Sequence, residues 1–140
     1  MPILNYTTKV SVHDSVGEIQ KQLAKHGARR IMQEYDENGM VTTLSFQIET
    51  PAGFRAIRLP SNVDAVMKVL NRQKVKADRA QAERVAWRII KDWVEAQMAI
   101  LETEMVQMDE IFLPYMLDNT GEHTLYEALR EKQFLLEGGH

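Results

Sequence analysis

The sequence has no cysteine. That alone excludes disulfides, thiolate nucleophiles, thiolate zinc sites and iron–sulfur clusters. It has no long hydrophobic run either. The longest unbroken apolar stretch is Ile111 to Leu117, interrupted in character by Pro114, far short of the ~20 residues that a membrane span needs. The start, Met1-Pro2-Ile3-Leu4-Asn5-Tyr6, lacks the basic segment followed by an apolar one that marks a signal peptide. Neither end carries a lipidation motif. The expectation is a cytoplasmic protein without a membrane partner. There is no excess of positive charge: 17 Lys and Arg stand against 20 Asp and Glu, a net of −3. A uniformly basic, phosphate-coating protein is excluded on that count. There is no internal repeat and no low-complexity tract.

What is present fits one folded domain over 1–140. At 140 residues, the chain can bury a substantial core, since domains of about 150 residues bury about 70% of their unfolded surface. Hydrophobic residues make up 44% and charged residues 26%, both ordinary globular values.

Residues 5–12 are rich in β-branched side chains and read as a first strand. Asp14-Ser15 then opens a helix, with Ser15 and Glu18 at capping-box spacing and Gly27 at its left-handed end. Val16, Ile19 and Leu23 recur at helical intervals. Residues 29–35 read as a strand, and Asp36-Glu37-Asn38-Gly39 as a hairpin turn. Met40 to Glu49 is the best strand. Met40, Leu44, Phe46 and Ile48 lie on one face, and Thr43, Ser45, Gln47 and Glu49 on the other. Pro51-Ala52-Gly53 turns the chain, Phe54 to Leu59 returns, and Ser61 or Asn62 caps a helix carrying Val63, Val66, Met67 and Leu70. A polar, basic connector follows over 73–78.

From Arg79 a helix is expected to about Met105, because no Pro or Gly interrupts it. At 1.5 Å per residue it would be about 40 Å long. Val85, Ile89, Trp93, Ala96 and Ile100 form one apolar stripe. Trp87, Val94, Met98, Leu101 and Met105 form a second. Their combined arc is about twice what a one-sided surface helix needs, so the helix should be covered on two sides. Either the C-terminal segment (Ile111, Phe112, Leu113, Leu125, Leu129) folds back over it, or the second stripe is a homodimer or partner-binding face. Pro114 ends a short helix or marks a kink. Asp118-Asn119-Thr120-Gly121 is a turn, and Thr124 with Glu127 caps a terminal helix through about Lys132. Leu135-Leu136 would dock, and Gly138-Gly139-His140 would fray. The expected fold is therefore α+β: an antiparallel three- to four-stranded sheet in the order β-α-β-β-β-α, packed on a long helix with a C-terminal helical segment.

The charge is unevenly distributed. Residues 1–67 are neutral. Residues 68–91 carry eight cations, Lys68, Arg72, Lys74, Lys76, Arg79, Arg84, Arg88 and Lys91, against Asp78 and Glu83. Residues 92–140 carry a net of −9. The basic block could hold several phosphates, with Arg29, Arg30, Arg55 or Arg58 adding to it and Trp87 stacking a base. The bland alternative is a solvated or self-paired face. Catalytic signatures are missing. The four histidines are scattered, and no HExxH, GxSxG, P-loop or GxGxxG occurs. Glu122-His123 with Glu127, and Glu102 and Glu104 with Asp109-Glu110, are explained as well by capping and solvation as by a cation. The reading is non-enzymatic, with no metal, cofactor or small-molecule substrate.

Two segments, Val85-Ala-Trp-Arg-Ile-Ile-Lys-Asp-Trp-Val-Glu-Ala-Gln-Met98 and Ile111-Phe-Leu-Pro-Tyr-Met116, resemble those of a group of small proteins of bacteriophages, prophages and other mobile elements. The resemblance covers most of the chain, including Gly27 to Arg30 and the Phe46 to Pro60 hairpin. The group has no assigned activity, so no catalytic residue carries over. The resemblance implies a bacterial cytoplasm and work tied to phage DNA replication, recombination or its regulation, or to countering host defence. In order of elements, 15–72 is also similar to double-stranded RNA-binding domains and to some small phage inhibitors of host CRISPR nucleases. The RNA-binding domains place a Lys-rich cluster where this chain has Ser61-Asn62-Val63-Asp64, which counts against that reading. Two function classes stand. One binds nucleic acid through the 68–91 block. The other binds a protein partner, such as a host nuclease, through Val94, Met98, Leu101 and Met105 and the acidic C-terminal half.

Overall fold

A computed structural model describes residues 1–138, with side chains described through Lys132. The order is α1 (Val12–Lys25), β1 (Arg29–Tyr35), β2 (Val41–Thr50), β3 (Gly53–Arg58), α2 (Val63–Arg72), α3 (Arg79–Glu102), α4 (Met108–Phe112), a 3₁₀ turn (Leu113–Tyr115) and α5 (Leu125–Gly138). The class is α+β. The three strands form one antiparallel sheet in sequence order.

The expected strand at 5–12 does not form. Asn5 takes a positive φ of 65°, which breaks an extended run, and tight turns follow: the Tyr6 N–H donates to the Ile3 carbonyl and the Thr8 N–H to Asn5. Side chains from elsewhere then capture this segment. The Gln81 amide donates to the Tyr6 and Thr8 carbonyls at 3.1 and 2.9 Å, and the Asn5 amide donates to Asp92 at 2.7 Å. The cap of α1 also sits earlier than expected. Ser11 is the N-cap, its hydroxyl accepting from the Asp14 N–H at 3.0 Å. Ser15 is buried within the helix instead. Gly27, at φ 99°, does end α1.

The core lies on one face of the sheet. Leu44, Phe46 and Ile48 of β2 and Ile57 of β3 point there and are buried, as are Val12, Val16, Ile19 and Leu23 of α1. Period-2 burial along β2 and period-3.6 burial along α1 thus meet in one layer. The hairpin turn is closed by the Gly39 N–H donating to Asp36 at 3.0 Å. Asn62, rather than Ser61, caps α2, accepting from Ala65 at 3.0 Å. The far side of β3 is flanked by the chain after the 3₁₀ turn, where the Leu117 N–H donates to the Ala56 carbonyl at 2.9 Å.

Helix α3 is covered on two sides. It packs against α1 and α2, and its buried residues are Ala82, Val85, Ala86, Trp87, Ile90, Val94 and Met98. The C-terminal segment does fold back, with Phe112 at its centre and Met108, Ile111, Tyr115 and Met116 packed partly buried beside it. Phe112 is fully buried, with its ring edge-on to Phe46 at 5.2 Å and to Trp93 at 5.9 Å. Leu113 and Leu129 remain exposed, so they do not cover the helix as expected. Helix α3 also stops three residues early: Thr103 caps it and Glu104 turns left-handed at φ 63°. The Thr124–Glu127 capping box forms as read, each residue bonding the other's backbone N–H at 2.8 and 3.2 Å. The expected docking of Leu135-Leu136 and the ends at Gly139-His140 lie outside the described residues. Among the described residues, no helix is long and apolar enough to cross a membrane.

Candidate nucleic-acid interface

Seven of the eight cations of the basic block divide into two sets. Arg79, Arg88 and Lys91, all on α3, are in ion pairs. Arg79 binds Asp64 and lies 3.6 Å from Glu83. Arg88 binds Glu18 across the α1–α3 contact and donates to the buried Ser15 hydroxyl at 3.4 Å. Lys91 binds Glu95 and lies 3.6 Å from Asp92. These pairs leave chemical traces. The Arg79 guanidinium, by its hydrogen bond and its charge, holds the Asp64 carboxyl below the usual carboxylate range. The Glu95 hydrogen bond raises Lys91. Arg88 and Lys91, largely covered and held this way, are part of the packing, whereas the Arg79 pair lies on the surface.

Lys68, Arg72, Lys74 and Lys76 are different. All four are exposed, and among the described residues none has an ion-pair partner. Lys68 and Arg72 are one helical turn apart on the outside of α2. Lys74 and Lys76 follow directly in the connector, where Lys74 takes a positive φ of 59°. Four free cations are thus carried on nine consecutive residues.

Arg84 stands between the two sets. Its guanidinium is held by the Gln81 side-chain oxygen through both Nε, at 2.9 Å, and a terminal nitrogen. No carboxylate lies within ion-pair distance of it among the described residues. Arg84 is also in the wall of two recesses. One, of about 750 Å³, runs between Tyr6–Lys9, the connector from Val75 to Asp78, and the start of α3. The other, of about 390 Å³, continues past Lys9 and Arg84 toward His13 and Tyr35. Sequence reading missed Lys9 in this setting, because it was assigned to a strand. The signal that places it there is Gln81, whose amide ties the 6–8 backbone to α3.

Trp87 has no exposed surface, so it does not stack a base. Its indole N–H donates to the Val41 carbonyl at 3.3 Å, inside the core. The expected partner-binding stripe is corrected in the same way. Val94 and Met98 are buried, Leu101 is half-buried, and only Met105, at 70% exposure, is open. The second apolar stripe packs on the body of the protein. Of the sheet arginines, Arg58 pairs with Glu127 at 2.9 Å. Arg29, Arg30 and Arg55 are exposed on the strands and do not line the two recesses.

The other candidate constellations are explained locally. Glu110 closes a capping box with the Gln107 N–H at 3.1 Å, Glu102 meets His26 at 3.0 Å, and Glu127 belongs to its own cap. Among the described residues, no group of three or more His, Asp or Glu side chains is placed to hold a metal ion. Compared with protein-family models, with curated proteins and with solved structures, the chain matches none.

Proposed function

We propose that this protein is a non-enzymatic accessory protein that binds nucleic acid through its phosphates. Its proposed setting, following the resemblance to phage and mobile-element proteins, is replication, recombination or their regulation in a bacterial cytoplasm. The observation that carries the reading is the free set: Lys68, Arg72, Lys74 and Lys76 are exposed and unpaired among the described residues, and Lys76 lines a recess that adds Lys9 and Arg84. Unpaired cations on adjacent backbone are what a phosphate chain needs, and each phosphate neutralised releases condensed counterions. The net charge of −3 does not oppose this, because attraction at contact distance is set by the local field.

The test is fluorescence anisotropy of labelled single- and double-stranded DNA and RNA oligomers at several salt concentrations. Binding through the free set gives a log–log salt slope of about −3 to −4, near 0.7–0.9 per phosphate for four contacts. Lys68→Glu with Arg72→Glu should cut the slope by about half and weaken every sequence equally. No binding at low salt would end this reading. It would favour a protein partner, sought by pull-down against the acidic C-terminal half.

A further inference from the structure

We infer that the ligand is single-stranded nucleic acid, threaded through the groove that Lys9 and Arg84 share, with Tyr6 and Tyr35 as its stacking surfaces. This inference rests on the phosphate-binding reading and narrows it. Three observations carry it.

The first is shape. The two recesses share Lys9 and Arg84 in their walls, so they adjoin between the connector and the β1–β2 turn, the first shallow and the second deeper. A duplex presents its phosphates on a convex rod and hides its base faces. A single strand can bend into a concavity and turn its bases outward.

The second is charge. Lys9, Lys76 and Arg84 line the path without an ion-pair partner among the described residues. Arg84 is preorganised by Gln81 with N–H donors to spare. One acidic side chain, Asp78, also lines the first recess. It is committed to the N-terminus of α3, accepting from the Gln81 N–H at 2.9 Å. The backbone amides of that turn offset its charge.

The third is the aromatic pair. Tyr6, 37% exposed, lines the first recess, and Tyr35, 59% exposed, lines the second. The Tyr35 hydroxyl donates to Gln33 at 2.8 Å, which fixes the ring at the groove wall. A cationic groove with exposed rings at intervals is how proteins hold single strands without reading sequence.

The experiment titrates the full chain against a labelled thymidine oligomer of about 12 nucleotides, and against a hairpin duplex of matched length and charge. The salt concentration is fixed near 0.1 M. Melting by circular dichroism shows that each variant is folded. The expected result is tighter binding of the thymidine oligomer by about tenfold or more. Tyr6→Leu and Tyr35→Leu should each weaken it by about 5- to 150-fold, the range for losing one stacked base, with the duplex little affected. Lys9→Gln, exposed and easily tolerated, should weaken it less and lower the salt slope by about 0.7. Equal or tighter duplex binding, or tyrosine variants that bind like the parent, would overturn the single-strand inference. If Lys68→Glu with Arg72→Glu still weakened binding, the broader reading would survive. Absence of binding to either probe would remove both.

Discussion

The two halves of the basic block invite comparison. The half on α2 and the connector (Lys68, Arg72, Lys74, Lys76) is exposed and unpaired among the described residues. The half on α3 (Arg79, Arg88, Lys91) is spent on Asp64, Glu18 and Glu95. In sequence the two are indistinguishable, eight cations against two acids within 24 residues. The difference arises from topology. Helix α3 lies along α1, which brings Glu18 to Arg88 across 70 residues of sequence. Among the described residues, no ion pair reaches Lys74 or Lys76 of the connector, which the N-terminal segment meets only through the Ile3 N–H donating to Gln73 at 2.8 Å and across a shallow recess. A charge count therefore measures what a surface could hold, and the fold decides how much of it is left to bind anything else. The expectation that follows is a division of labour: the connector half should read out in binding, and the helical half in stability.

Trp87 gives the largest effect. It lies inside the basic block in sequence and inside the core in space. Trp87→Ala should destabilise the fold by about 3–5 kcal/mol, the usual cost of emptying a buried aromatic site. Urea unfolding followed by circular dichroism measures this. Trp87→Phe, which keeps much of the packing and loses the bond to the Val41 carbonyl, should cost about 1–2 kcal/mol. If Trp87→Ala instead left stability unchanged and abolished nucleic-acid binding, the assignment of the helical half to structure would collapse.

Arg88 comes next. Arg88→Ala removes an ion pair that is partly shielded and leaves Glu18 and the Ser15 hydroxyl without their cation. The expected loss is about 1 kcal/mol, above the median for an exposed pair because Arg88 is mostly covered. Lys74→Ala, its counterpart in the connector, should leave the unfolding midpoint within the error of measurement and lower the salt slope of nucleic-acid binding by about 0.7–0.9. Swapped outcomes, with Lys74 structural and Arg88 needed for binding, would reverse the comparison.

Thr124 extends the test to the acidic C-terminal half. Thr124→Ala removes one side of a capping box and should cost about 1 kcal/mol. The Glu127 carboxyl is held below its ordinary value, first by the Thr124 backbone N–H and then by the Thr124 hydroxyl and Arg58. A group whose value falls on folding adds stability above its unfolded value and loses it as the pH drops through the folded one. The cap at α5 should therefore weaken as the pH falls below the ordinary carboxylate value and on through the lowered one. Glu127→Gln should flatten that part of the stability–pH curve.

What the sequence allowed and what it withheld follow the same line. Period-2 alternation located β2, helical spacing located α1 and α3, and the Asn38-Gly39 turn and the Thr124–Glu127 box were legible because each is a contact between near neighbours. The first strand was misread because the β-branched run at 7–12 carries no record of Gln81 and Asp92, which fold the preceding residues onto α3. The stripe at Val94 and Met98 is legible as apolar, and the C-terminal segment is one of its two candidate covers; spacing on one helix does not choose between that segment and a partner. The candidate interface divided likewise. Lys68 to Lys76 could be listed from composition, whereas the recruitment of Lys9 and the removal of Arg88 and Trp87 are tertiary events.

The smallest effect tests the comparison most directly, because it moves one cation from the paired set to the free one. Asp64 and Arg79 are both exposed, so breaking their contact should scarcely alter stability. Asp64→Asn removes the carboxylate and leaves Arg79 in place at the first turn of α2, directly after the connector in sequence. Glu83, 3.6 Å from Arg79, then holds it only loosely. If pairing is what separates the halves, the variant should bind nucleic acid two- to fivefold more tightly at low salt, with a slope steeper by up to about 0.9. Lowering the pH on the parent protein does not isolate this contact, because ordinary carboxylates lose their charge before Asp64 does. The Asp64 carboxyl sits below its ordinary range because of Arg79, so it gives up its charge, and frees Arg79, only when the pH falls through that lowered value. Unchanged affinity in Asp64→Asn would mean that Arg79 faces away from the bound strand, and that position on the surface, more than pairing, sets the boundary of the interface.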